Sequence, residues 1–268
     1  GRLDRKVEGL ASNEDYLRRA AEGGGLTRPE LAILMSTTKL ALQEAIEDSS
    51  LPDDPALADD LAAAFPDEMQ RDFADAIQQH QLRREIIATK IANRMVNRLG
   101  VIHPQELMEE EGCSLADVAA AFVAVEDIAD MRRLWAELDA APMGEDARLN
   151  LFHQAGTGMA SLMSEYLRLQ SRETPSQAIA RLKPSVSEVA AKVKELISGA
   201  ADVQWSRLEK GLVESGAPAA LAADVARLYK LDGALSVAHL AEQQGDDVTV
   251  LARAFTTMSL ALGLDWAQ

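Results

Sequence analysis

The stretch that decides the fold is LRREIIATKIANRMVNRLG, residues 82–100. Its apolar side chains recur every three or four residues, which is the spacing of one face of an α-helix. Polar side chains fall between them in two stripes, one of threonine and asparagine and one of lysine and arginine. Gly100 follows, where a glycine commonly ends a helix. We predict a packing or domain interface at five residues of these stripes: Lys90, Asn93, Arg94, Asn97 and Arg98.

The composition extends this helical interpretation to the rest of the chain. Of 268 residues, 47% are hydrophobic but only 4% are aromatic. The core must therefore consist of leucine, alanine, isoleucine, valine and methionine, a set that favours helices over strands. We predict an all-α multi-helix bundle of about ten to thirteen helices.

The charge of the chain argues against several kinds of partner. The net charge is −16, whereas binding a nucleic acid backbone requires cations clustered along a face. Anionic membrane surfaces are disfavoured for the same reason, and no run of ~18 apolar residues could span a bilayer. The single cysteine excludes an internal disulfide and favours the cytoplasm. We expect no nucleic acid and no membrane as partners.

Several helix starts are marked by side chains that can cap a helix. A hydroxyl residue followed three positions later by an acid forms a capping box, in which each side chain accepts from the other residue's backbone N–H. The predicted starts are Thr27 with Glu30, Ser114 with Asp117, Thr174 and Ser185.

The segment AAPMGE, residues 140–145, is the best candidate for a boundary between domains. Proline and glycine interrupt the helical pattern there, and a long apolar repeat follows it. We predict two helical subdomains, one at residues 1–141 that contains the 82–100 helix, and a second at residues 142–268.

An acid-rich segment precedes the 82–100 helix. Residues 44–75 contain eleven Asp or Glu and a single cation, Arg71, whereas the helix carries five cations and one acid. Two interpretations remain open. The charges form a solvated face, or acids of the segment form ion pairs with the helix.

An internal echo links two parts of the chain. The pattern Leu-x-Glu-x-x-Gly occurs at residues 107–112 and 240–245, and similar apolar spacing follows both. A tryptophan comes later in each case, Trp135 and Trp266. One hypothesis is a helical hairpin used twice, which would give two similar halves; the other is chance similarity between leucine- and alanine-rich helices.

A search for chemistry yields no candidate site. No two histidines have the spacing of zinc ligands on a helix, and one cysteine makes no zinc pattern. Gly156-Thr157-Gly158 lacks the preceding strand and third glycine of a dinucleotide-binding loop, so we interpret it as a site of close helix packing or a kink. Cys113 has no cation beside it in sequence and is interpreted as a packing residue. We predict no catalytic, cofactor-binding or metal-binding residue.

Three stretches together resemble a known family. GLTRPELAILMSTTK (25–39), LPDDPALADDLAAAFP (51–66) and the 82–100 helix are similar to the C-terminal region of the large bacterial NAD-specific glutamate dehydrogenases. The opening GRLDR and the closing LGLDWAQ also fit. The resemblance implies a parent enzyme that oxidatively deaminates L-glutamate to 2-oxoglutarate and ammonia and reduces NAD. It also implies that the catalytic lysine and the nucleotide-binding fold lie upstream.

The resemblance therefore implies a structural, assembly or regulatory region that has no catalytic residues. NAD would be the cofactor of the parent enzyme, with no cofactor in this fragment. The implied partner is the upstream dehydrogenase domain of the same chain, in a homo-oligomeric enzyme. The opening GRLDRKVEGL also reads as the middle of a longer chain. The alternatives are a free-standing acidic helical adaptor that recruits a protein partner, and a helical enzyme with an unrecognised carboxylate site.

Overall fold

The structure is a computed structural model that describes residues 4–169, 172–196 and 200–262. Every regular element in these ranges is helical, with fifteen α-helices and two short 3₁₀ turns. The predicted all-α fold is confirmed. None of the described helices is long and apolar enough to cross a bilayer. The α-helices are α1 Asn13–Ala21, α2 Arg28–Glu47, α3 Ala58–Ala62, α4 Asp67–Asp72, α5 Ala74–Gln78, α6 Arg83–Leu99, α7 His103–Glu110, α8 Leu115–Ile128, α9 Met131–Ala140, α10 Glu145–Arg168, α11 Pro175–Leu196, α12 Ala200–Glu214, α13 Ala219–Tyr229, α14 Ala234–Gln244 and α15 Val248–Ala261.

The chain forms two compact units. Unit 1 comprises Gly1–Asp53 and Leu57–Gln105, and unit 2 comprises Asp54–Ala56 and Glu106–Gln268. The predicted boundary between residues 1–141 and 142–268 lies at a different place in the chain from the boundary between these units. The predicted subdomains stay a prediction.

Unit 1 is built on the packing of α2 against α6. The apolar side chains of the two helices meet in a core from which water is excluded. Its central members are at most 2% exposed, and burial of each contributes roughly 1.5–3 kcal/mol. These residues are Leu42 and Ile46 of α2 and Ile87, Ile91 and Met95 of α6.

Two predicted capping boxes are present. Thr27 caps α2: its Oγ1 accepts from the Glu30 backbone N–H, and Glu30 Oε2 accepts from the Thr27 N–H at 2.7 Å. Ser114 and Asp117 cap α8 in the same way. A hydrogen bond from Arg19, with those from Thr27, lowers the pKa of Glu30 to about 2. The start of α2 is therefore fixed by charge as well as by hydrogen bonds.

The centre of unit 2 is α8, which packs against α10 and α11. Nine residues of α8 are buried, including Phe122, which is 0% exposed. A helix that is apolar almost all round belongs in the interior of a protein.

Close packing explains the Gly156-Thr157-Gly158 sequence. Both glycines lie within the uninterrupted helix α10. A Cβ atom added to Gly158 would lie 3.0 Å from the Leu228 Cβ of α13. The interpretation as a helix-packing site is confirmed.

The helix start predicted at Ser185 is wrong. Helix α11 runs without interruption from Pro175 to Leu196 and contains Pro184 in its interior. An internal proline removes one hydrogen bond and costs about 3 kcal/mol. The flanking Leu182 and Val186 are 1% and 3% exposed, so their burial offsets much of this cost.

The two parts of the internal echo form comparable elements. Gly112 and Gly245 both have positive φ, 63° and 72°, and each stands between two helices, α7 and α8 in one case and α14 and α15 in the other. Trp266 lies outside the described residues. The idea of two similar halves stays a hypothesis.

Candidate functional site

Helix α6 carries the five predicted interface residues. The side chains of Lys90 and Asn93 are half-buried and make no hydrogen bond or ion pair with any described residue. Asn97 is exposed, and its Oδ1 accepts from Lys39 Nζ of α2 at 3.2 Å. The ammonium group of Lys90 and the amide of Asn93 are therefore available to bind another group.

Arg94 has a different role, because it neutralises a buried carboxylate. Its guanidinium forms a two-point ion pair with Asp60 of α3, in which Nη2 lies 3.3 Å from Oδ2. Asp60 is 4% exposed and Arg94 is 20% exposed. Removing one partner would leave a charge with little access to water. Arg98 is half-buried and also has a partner.

The first turn of α6 adds two arginines that the sequence patterns did not single out. Arg84 Nη2 donates to the backbone carbonyls of Glu47 and Ser49 at 2.6 Å each. The guanidinium of Arg84 thereby caps the C-terminal end of α2. Arg83 and Arg84 also form ion pairs with Asp53. Asp53 and Asp60 of the acid-rich segment therefore form ion pairs with α6. The domain-interface role of the five predicted residues stays a prediction.

The apolar face of α2 continues beyond the core of unit 1. Leu42 and Ile46 are fully buried, whereas Leu31 and Met35 on the same side of the helix are 42% and 41% exposed. Lys39 stands one turn after Met35.

In unit 2, Arg181 joins two helices. The guanidinium is 16% exposed and donates to Glu173 at 2.6 Å, to Glu242 at 2.9 Å, and to Nδ1 of His239 at 3.0 Å. The hydrogen bond to Glu173 is the main reason why the pKa of Arg181 is raised. Because arginine can only donate, Nδ1 of His239 is the acceptor in this hydrogen bond. The cluster ties α14 to α11.

Glu165 of α10 caps the beginning of α14. Its Oε1 accepts from the Ser236 backbone N–H at 2.7 Å, while Oε2 is buried and has no hydrogen-bond partner among the described residues. Burial, with a smaller contribution from the charge of Asp232, raises the pKa of Glu165 to about 7. The carboxyl group therefore joins α10 to α14.

Two further candidates for chemistry are the thiol of Cys113 and clusters of metal-binding side chains. Cys113 is half-buried, and burial raises the pKa of its thiol, which is the opposite of what a nucleophile needs. Within the described ranges, no group of three or more histidine, cysteine and acidic residues could hold a metal ion.

These features define a class: an all-helical region in which charged side chains join one helix to another. A family model described as "Glutamate dehydrogenase, C-terminal" matches residues 23–268, and the chain belongs to this family. The resemblance found in the three sequence stretches is therefore confirmed.

The curated relatives that match this chain are much longer than it is. The chain is 33% identical to the NAD-specific glutamate dehydrogenase of Pseudomonas aeruginosa over 279 residues, which cover 99% of this chain and 17% of that protein. The enzyme of the same name from Halomonas elongata is 29% identical with the same coverage. That of Mycobacterium tuberculosis is 35% identical over 151 residues, 56% of this chain and 9% of the relative. The chain thus spans 17% of the length of the first two relatives.

Proposed function

We propose that the chain is the C-terminal helical region of an NAD-specific glutamate dehydrogenase. The parent enzyme would convert L-glutamate, NAD⁺ and water into 2-oxoglutarate, ammonium, NADH and a proton. The observation that carries the proposal is the family match over residues 23–268, together with relatives of that name aligned over 99% of the chain.

The region itself would serve structure, assembly or regulation, and NAD would bind elsewhere in the parent. Support comes from how the polar side chains are used. Arg94, Arg84, Arg181 and Glu165 each bind a neighbouring helix. We further propose that the predicted interface residues of α6 contact the upstream dehydrogenase domain, in a cytoplasmic homo-oligomer.

The proposal is tested on the parent protein with and without this region. NAD reduction by L-glutamate, the oligomeric state and the thermal unfolding of both proteins would be measured. The complete protein should oxidise glutamate, and deletion should lower its assembly, its Tm or its kcat. The 268-residue chain should neither bind NAD nor turn over glutamate. A parent protein without glutamate-dependent NAD reduction would overturn the proposed activity, and an unaffected deletion variant would overturn the proposed role.

A further inference from the structure

Unit 2 contains a cleft of about 380 Å³ that is lined by the end of α8, by α11 and by the end of α13. We call it the α11–α13 cleft. Its apolar lining includes Ile128, Val186 and Leu231, each of which is at most 4% exposed. Sites for small ligands have volumes of about 300–1,000 Å³ and are mostly apolar with a few polar groups. The size of the cleft therefore suits a small molecule.

Arg227 lines this cleft and has unused hydrogen-bond donors. Its side chain is 30% exposed, its Nε atom is buried without a hydrogen-bond partner, and it makes no hydrogen bond with any described residue. Its ion pair with Asp224 is loose, because Nε lies 3.8 Å from Oδ1. A guanidinium presents five N–H donors in a planar fork that matches a carboxylate. Arg227 is therefore ready to bind one.

Arg133 already pairs with the acids that would otherwise neutralise Arg227. Arg133 Nη1 donates to Asp224 Oδ2 at 3.2 Å, and Arg133 Nε donates to Asp130 Oδ2 at 2.7 Å. Asp130 is the acidic residue in the lining of the cleft. Because both carboxylates have a closer cation, neither forms a hydrogen bond with Arg227.

Helix α11 adds two polar groups to the cleft, Lys183 and Ser187. They are four residues apart, so they lie on the same side of the helix. The Ser187 hydroxyl makes no hydrogen bond with any described residue. Lys183 Nζ donates to Asp127 at 2.7 Å, but these side chains are 44% and 37% exposed, so the pair contributes little and leaves two donors of the ammonium unused.

We infer that the α11–α13 cleft binds a small organic acid that has one carboxylate and an aliphatic body. The carboxylate accepts from Arg227 and from Lys183 or Ser187, and the aliphatic part packs on Ile128, Val186 and Leu231. The inference goes beyond the proposed function, because it involves neither NAD nor the oxidation of L-glutamate.

Calorimetric titration with straight-chain carboxylates, from acetate to octanoate, tests the inference on the 268-residue chain and on the complete parent protein. Each added methylene should tighten binding about fourfold until the cleft is filled. 1-Hexanol lacks the carboxylate and inorganic phosphate lacks the aliphatic body, so both should bind at least tenfold more weakly than hexanoate. Methyl NMR locates the ligand, because hexanoate should shift the signals of Ile128, Val186 and Leu231.

Two variants separate the charge from the cleft. Arg227→Gln should weaken hexanoate binding at least tenfold. Arg71→Gln is the matched control and should leave binding unchanged, because Arg71 has an equally loose pair at 3.9 Å but is exposed and lies outside the cleft. Ala190→Phe fills the cleft, keeps every charge, and should remove the dependence on chain length. Circular dichroism verifies that each variant folds.

Several results would overturn the inference. These are no binding of any acid in the series, equal binding by Arg227→Gln and the wild type, and 1-hexanol binding as tightly as hexanoate. Binding to the 268-residue chain but not to the parent protein would show that another part of the parent occupies the cleft, which would also overturn it. Glutamate-dependent NAD reduction is measured separately, so this inference and the proposed function can fail independently.

Discussion

Replacing Glu165 with glutamine is expected to change how the stability of unit 2 depends on pH. Burial raises the pKa of this carboxyl group from an ordinary 4.5 to about 7 in the folded protein. The folded state therefore holds the proton more tightly than the unfolded chain does. Stability falls as the pH rises from about 4.5 to about 7, and it stays low at higher pH. Glutamine cannot ionise, so the variant lacks this loss.

The magnitude follows from the two pKa values of Glu165. At ~1.36 kcal/mol per pH unit, ionisation costs up to about 3.4 kcal/mol above pH 7. Between pH 5 and pH 8 the free energy of unfolding of the wild type should fall by about 2.5 kcal/mol relative to Glu165→Gln. The amide NH₂ of the variant would occupy the unpaired Oε2 position and would have no acceptor there. This cost does not depend on pH, so it cancels when the two pH values are compared.

Urea unfolding, monitored by tryptophan fluorescence, measures the free energy of unfolding of the unit that contains Glu165. The three tryptophans, Trp135, Trp205 and Trp266, all belong to the sequence range of unit 2. Unfolding curves would be recorded from pH 5 to pH 8 at constant ionic strength. Glu214→Gln is the matched control because Glu214 is exposed and its pair with Lys210 contributes little.

One result would refute this reasoning. If Glu165→Gln and wild type differed by the same free energy at every pH, the carboxyl group would not titrate in a buried environment. If the control Glu214→Gln altered the pH dependence of stability as strongly as Glu165→Gln, the pH dependence could not be attributed to the buried carboxyl group of Glu165.

Three further substitutions test the packing, the ion pair and the cap by urea unfolding. Gly158→Ala should be about 1–3 kcal/mol less stable than Gly211→Ala, because only Gly158 lies against another helix; equal stability would contradict close packing. Asp60→Asn should cost about 2 kcal/mol by leaving Arg94 without its carboxylate, and a double-mutant cycle with Arg94→Leu should show coupling. Thr27→Ala should cost ~1 kcal/mol and Thr27→Ser much less, since serine keeps the hydroxyl cap.

The elements set by local chemistry could be predicted. The apolar spacing of residues 82–100 fixes α6 to within a residue at each end, and the Thr27–Glu30 pair marks the start of α2. Both signals act over three or four residues, so the sequence contains all the necessary information.

Signals that compete with tertiary packing misled the prediction. Ser185 after Pro184 has the local pattern of a new helix start, but the helix continues because side chains on both sides of the proline are buried. Local propensity is a weak prior wherever a helix face packs in the core.

The polar contacts of the candidate site were only partly predictable. The spacing separates the polar residues of α6 from its apolar residues, but no periodicity relates Arg84 to Asp53, 31 residues earlier. Glu165 caps a helix 71 residues away, which again depends on the tertiary fold. Such pairs require knowledge of which helices meet.

The capping of α2 by Arg84 has a consequence for how unit 1 folds and opens. Helix α2 has no basic residue in its own last turn, so its C-terminal carbonyls receive their cation from α6. In the same way, Arg148 of α10 donates to the backbone carbonyls of Leu138 and Ala141 at the C-terminal end of α9. The last turn of α2 should therefore form only when α6 docks. In native-state hydrogen exchange, the last turn of α2 and helix α6 should open as one cooperative unit with a shared free energy of opening.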